Sequence, residues 1–145
     1  MVVIYNIICF HNPDEENGYL SNWHLSDFFI DGIKFSSLEQ YMMYQKAMLF
    51  KDISTAGKIL LTKNPAEIKS LGREVKNYND TMWNGMRQLL VTKGIFEKFC
   101  QRKELLKKLM DTGDAIFAEC AVNDSIWGIG LSMKDENRYD VSKWK

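Results

Sequence analysis

Two stretches of this chain hold residues whose types and spacing could do chemistry. Between Asp111 and Leu131 a short apolar run carries one embedded acid, Glu119. An Asx-rich turn with Asp124 follows, and Trp127 then stands ahead of Gly128-Ile129-Gly130. Two acids and a ring thus crowd a strand end and the loop after it, where sites are commonly built on a rigid scaffold. A tryptophan next to Gly128 can offer its face to a flat ligand, because glycine lets backbone approach closely. That combination suits a planar base and a sugar.

The second stretch, Leu38 to Ala47, reads as a helix on which Glu39, Met43, Lys46 and Phe50 share one face. An acid and an amine about 10 Å apart along the axis lie beside the more apolar stripe of Leu38, Met42, Gln45 and Leu49. They could line one cleft, where burial and neighbours tune their pKa values for catalysis. Two readings of Glu39 stay open. With Ser36 as the cap, Ser36-Ser37-Leu38-Glu39 is a capping box that uses Glu39. With Ser37 as the cap, Gln40 completes the box and Glu39 is left for acid–base work. Lys46 has snorkelling past the core as its alternative. Lys69 and Arg73 either grip a phosphate or answer a helix dipole. Ser21 and Asn22 offer ligand hydrogen bonds or turn chemistry.

Other chemistries lack their residues. Gly128-Ile129-Gly130 has neither the third glycine nor the helix start of a dinucleotide fingerprint. No Ser-His-Asp arrangement is visible, and two histidines are too few for a His-based metal centre. Cys9, Cys100 and Cys120 form no ligand spacing with His11 or His24, so neither metal nor cofactor is expected. Each is read as a buried free thiol in a reducing cytoplasm. Nineteen basic and 19 acidic residues leave no net charge, which argues against a broad grip on nucleic-acid backbone and favours a small molecule or a single flipped base. No apolar run approaches the ~18 residues of a membrane span. Carboxylates, an amine and rings remain, a set suited to glycosidic cleavage, in which acids manage protons and a developing oxocarbenium ion.

The elements that must position these groups follow from pattern. A first strand is expected up to about Phe10, then a polar loop over 11–17. Phe28-Phe29-Ile30, Asp31-Gly32 and Ile33-Lys34-Phe35 form a hairpin with a type I′ turn. Helices are expected from Ser36–Ser37 to about Phe50 and from Ser54 to Leu61. A third, capped by Asn64 with Pro65 at its first position, ends at Gly72. A fourth, capped by Asp80, has Trp83, Met86, Leu89 and Leu90 as its stripe and ends at Gly94. Leu105, Leu106 and Leu109 mark a fifth, with Arg102, Lys103, Lys107 and Lys108 as its solvated face. Ala115 to Ala121 reads as a buried strand. The class is α+β, predominantly helical, with one small sheet made from the first strand, the hairpin and the late strand.

These residues resemble the NADAR, or YbiA-like, domains (NAD- and ADP-ribose-associated). The resemblance runs through Leu20-Ser21-Asn22, Asp31-Gly32 with Phe35, Ser37 to Ala47, Lys69, Leu71-Gly72-Arg73 and Trp83. It continues through Lys98-Phe99, Leu109 with Thr112-Gly113, Glu119, Asp124 and Ile126 to Leu131. It implies an N-glycosidase cleaving the bond between ribose C1′ and a nitrogen. The substrate would be a phosphoribosylated pyrimidine intermediate of riboflavin synthesis, or guanine in DNA carrying ADP-ribose. Glu39 would be the principal acid with Asp124 supporting it, Trp127 would stack on the base, and Lys46 would contact or attack C1′. Gly128, Ser21, Asn22, Lys69 and Arg73 would bind substrate. Such domains continue past a tryptophan like Trp144 with a Gly-x-Asn-x-Leu-Gly segment and a closing helix. The expectation is therefore one domain over 1–145 without that segment. A non-catalytic reader of ADP-ribose or nucleotide, and a plain structural domain with Glu39 as a cap, are the competing expectations.

Overall fold

The computed structural model describes residues 4–145. It divides into two compact units, one of Leu25–Leu106 and one of the chain up to His24 together with Lys107–Lys145. The architecture is the expected helix-dominated α+β.

In the Leu25–Leu106 unit, β2 (Phe28–Ile30) and β3 (Ile33–Phe35) form an antiparallel hairpin. Asp31 and Gly32 both take positive φ, 51° and 78°, as a type I′ turn demands. Four helices follow: α1 (Leu38–Leu49), α2 (Ile53–Leu60), α3 (Pro65–Arg73) and α4 (Asp80–Cys100). Helix α1 lies at the centre, packed on α2, α3, α4 and β3. Its Leu38, Tyr41, Met42 and Ala47 are buried, and the rings of Phe28 and Phe35 pack against Tyr41 with centroids 6.2 and 5.3 Å away.

The start of α1 is fixed by its neighbours. Ser37 is the N-cap, its hydroxyl accepting from the Gln40 amide at 3.1 Å. The Gln40 side chain, 3% exposed, takes Ser36 N at 2.7 Å and Ser36 Oγ at 3.0 Å on its carbonyl. Its amide donates to Ile59 O and Thr62 O. Asp52 plays a similar part for α2, accepting Thr55 N on one oxygen and Lys76 N on the other. Those amide donors hold its carboxyl below the usual carboxylate range.

In the other unit, β1 (Ile7–Phe10) pairs in parallel with β4 (Ile116–Glu119), Phe10 opposite Glu119. Cys9, Ala118, Cys120, Ile129 and Leu131 form a small core, with Trp144 packed against it. Helix α5 (Lys103–Met110) carries the division between the units.

Several expectations are corrected. Among the described residues the strands form two separate two-stranded sheets, because there the hairpin pairs with itself and β1 with β4. Strand β1 begins at Ile7, and the first three residues of the proposed strand lie outside those described. The N-cap of α4 is Asn79, with Asp80 already inside the helix. Gly94 does not end that helix but sits within it, buried against Leu38 and Tyr41. Leu89 of the proposed stripe is 67% exposed, while Trp83 and Val91 are buried. Arg102 is not on a solvated face, since its Nε donates to Asp27 O at 3.1 Å and it is half-buried. Cys100 is exposed, unlike Cys9 and Cys120.

Gln40→Leu keeps the volume and removes the four bonds of the Gln40 side chain, leaving buried Ser36 N and the carbonyls of Ile59 and Thr62 without that partner. At about 1–3 kcal/mol for a buried orphan, unfolding in urea should show a loss of roughly 2–4 kcal/mol. A loss under about 1 kcal/mol would remove Gln40 from this role.

Candidate active site

Helix α1 presents Glu39 and Lys46 from within one packed unit. Glu39 is buried, 9% exposed, although charged side chains rarely are. The capping contacts go through Ser37 and Gln40, which is the arrangement that does not use Glu39 as the box acid. Lys46 is half-buried one face-repeat later. Its Nζ donates to Gly72 O at 2.7 Å, and the ring centroids of Tyr78 and Trp83 lie 4.6 and 5.9 Å away. Gly72 is buried where α3 meets α1, and a Cβ there would overlap the Met43 side chain, which would have to shift to make room. Burial holds the Lys46 amine below the ordinary lysine value. The Glu39 carboxylate pulls it back up, and the Arg73 guanidinium adds to the lowering. A carboxylate, a partly desolvated amine and a guanidinium thus act on one another here. Lys69 lies exposed on α3.

Tyr78 is the residue that sequence reasoning missed. It follows α3 in the turn Asn77-Tyr78-Asn79, where no periodicity marks it. Its hydroxyl donates to Asp80 Oδ1 at 2.8 Å, and its ring meets Phe50 edge-on at 5.3 Å. Trp83 was assigned to the core; it is buried, and it also faces the amine.

The opening cluster belongs to the other unit. Glu119 closes β4 and holds His11 Nδ1 at 2.7 Å. Asp124 Oδ1 accepts from both Ile126 N and Trp127 N at 2.9 Å, so the acid builds the turn that carries the half-buried tryptophan. A Cβ on Gly128 would lie 2.7 Å from Asp124 O and 2.9 Å from Ala121 O, so the glycine is required by the loop's own backbone. Ser21 Oγ accepts from Trp23 N at 3.2 Å in a local turn, and Asn22 is half-buried beside it. Among the described residues no three or more His, Cys, Asp or Glu side chains gather as a metal site. Nor is any helix long and apolar enough to cross a membrane.

The helix-dominated α+β fold and the acid–amine pair on α1 define a class, and comparison with known proteins gives the family. The chain belongs to the NADAR domain family, whose model matches residues 9–145. It is 35% identical over 145 residues to N-glycosidase R617 of Acanthamoeba polyphaga mimivirus, covering 94% of this chain and 85% of that one. It is 28% identical to N-glycosidase YbiA of Escherichia coli over 91% of this chain and 81% of that protein. A riboflavin biosynthesis protein of Vibrio vulnificus is 31% identical over 85% of this chain, which spans 33% of that longer protein. The NMR structure of Escherichia coli YbiA aligns with a TM-score of 0.76 at 27% identity, over 89% of this chain and 75% of that chain.

A second buried cation lies in this helical unit. Lys98, on α4, is 1% exposed, its Nζ stands 5.2 Å from the Phe99 ring centroid, and burial pushes it down to about 7. In the unfolded chain the amine holds its proton up to about 10.4. Between those values the unfolded state binds more protons, so stability should rise with pH from about 7 and level off near 10. Lys98→Met should flatten that rise in urea midpoints. An equally steep rise in the variant would assign it elsewhere.

Proposed function

We propose that this protein hydrolyses the C1′–N bond between a ribose and a nucleobase-like group. The observation that carries the reading is the pairing on α1 of buried Glu39 with the partly desolvated Lys46 amine. The N-glycosidase names of the mimiviral and bacterial relatives support it. Cleavage sends the bonding pair onto the leaving nitrogen, which must gain a proton, and leaves positive charge at C1′ for water to take. Glu39 is the acid in this reading, and Lys46 is the group that contacts or attacks C1′. Arg73, which acts electrostatically on Lys46, and Lys69 take the phosphate of a phosphoribosyl or ADP-ribosyl group.

Trp127 supplies a stacking face for the base, on a backbone fixed by Asp124 and opened by Gly128. Asp124 is the supporting acid, and Ser21 with Asn22 contributes ligand hydrogen bonds. The substrate is a phosphoribosylamino-pyrimidine, in keeping with the riboflavin name of the Vibrio relative, or an ADP-ribosylated guanine in DNA. The reaction in this reading uses no cofactor, runs in the cytoplasm and is carried by the NADAR domain of residues 9–145. A reader of ADP-ribose is the second reading, favoured by the commitment of one Asp124 oxygen to two amides.

Both substrates should be incubated with wild type and Glu39→Gln and followed by mass spectrometry. Wild type should release free base. The isosteric variant should keep its fold, since Ser37 and Gln40 make the cap. It should turn over about 10²–10⁴-fold more slowly, the usual worth of a general acid. Wild-type turnover by the variant would strip Glu39 of its role. Saturable ligand binding by wild type with no product would make the protein a reader.

A further inference from the structure

We infer that Tyr78 is a positioning residue for the Lys46 amine: its ring, tethered through Asp80, walls water off one side of Nζ and holds the amine against the Gly72 carbonyl. A tyrosine that is 43% exposed would ordinarily move among rotamers, yet this one is held from two directions. Phe50 packs edge-on against the ring at 66°. The hydroxyl donates to Asp80 Oδ1 at 2.8 Å. Asp80 is itself held, because Asn84 Nδ2 donates to its other oxygen at 3.1 Å and Arg87 Nη1 donates to Asn84 Oδ1 at 2.7 Å. The first two turns of α4 therefore brace the ring from behind, and its face lies 4.6 Å from Nζ.

The charged and titratable groups around the amine come from each packed element. Glu39 on α1 and Arg73 on α3 act on the amine; Tyr78 precedes α4, and Asp80 and Arg87 on α4 act on its hydroxyl. The ring does two opposed things. Its negative face attracts an ammonium, and its bulk removes the water that would solvate that ammonium better. Burial is the leading cause of the lowered amine, and the ring 4.6 Å from Nζ is part of what buries it, so the water-excluding side of the balance is the one the inference assigns to Tyr78. Taking the ring away should readmit water and return Lys46 towards an exposed lysine, leaving less neutral amine near neutral pH. The inference rests on the proposed role of Lys46 only for its consequence in turnover.

The test reads the amine itself. Lys46 is acylated with acetic anhydride across a pH series and quantified by peptide mass spectrometry, with exposed Lys63 and Lys103 as internal references. In Tyr78→Ala the Lys46 titration should move to higher pH, towards the references, and its labelling at neutral pH should fall severalfold. Tyr78→Phe keeps the ring and its Phe50 contact but loses the Asp80 tether, so its titration should move in the same direction by clearly less than in Tyr78→Ala. An unmoved titration in Tyr78→Ala would overturn the inference, as would a shift in Tyr78→Phe equal to that in Tyr78→Ala. A purely structural loss would also raise buried Lys98 of the same helical unit, whereas loss of the Tyr78 wall alone should leave Lys98 unmoved, so Lys98 is followed in the same digests. Because no substrate is involved, failure here and failure of the glycosidase reading are seen separately.

Discussion

The buried side chain of Gln40 is the contact on which the chemistry of the Leu25–Leu106 unit depends. A buried primary amide is stable only when both its ends are used. Here the carbonyl takes the amide and hydroxyl of Ser36, and the NH2 group reaches Ile59 O and Thr62 O. One side chain thereby joins the first turn of α1 to the connection between α2 and α3. Beside it, the Gln40 backbone N–H donates to Ser37 Oγ, the cap that sets where the helix begins. With capping settled at these two residues, the acid one position earlier sits in the buried wall of the helix as a chemical group.

The same central helix explains the state of Lys46. An amine two turns on from Glu39 could reach water as a snorkelling lysine does. It bends instead to the carbonyl of Gly72 and lies under aromatic rings. This needs α3 to come within backbone distance of α1, which Gly72 permits against Met43. One backbone carbonyl and two ring faces replace a hydration shell only in part, so burial lowers the amine despite the carboxylate on the same helix. Charge balance within a small set of side chains therefore decides how much neutral amine is present.

Most of the fold was legible because its signals are local. Asp31-Gly32 specified its turn, Asn64-Pro65 specified the start of α3, and the face of Glu39 and Lys46 followed from helical period alone. The failures share one cause, which is tertiary contact. Gly94 reads as a terminator in sequence, but Leu38 and Tyr41 occupy the space a side chain would take. The parallel partner of β1 lies more than a hundred residues away at β4, and no local pattern ranks it above the adjacent hairpin. Tyr78 was invisible for a related reason. A lone ring in an Asn-rich turn has no period, and its importance lies in Lys46, Phe50 and Asp80 meeting there.

The loop after β4 shows how an acid can matter to a site without handling protons. One oxygen of Asp124 receives two successive backbone amides, a typical Asx turn. Those bonds set the direction in which Trp127 leaves the chain, and Gly128 is packed too closely against Ala121 and the Asp124 carbonyl for the turn to relax. A stacking face costs less binding entropy when its backbone is already fixed. Any loss of function on truncating Asp124 therefore contains the displacement of the indole before it contains a proton. The Ser37–Gln40 cap runs through Ser37 Oγ and the Gln40 amide and carbonyl. A change of charge at constant shape at Glu39 therefore leaves those bonds in place, whereas any change at Asp124 disturbs the turn itself.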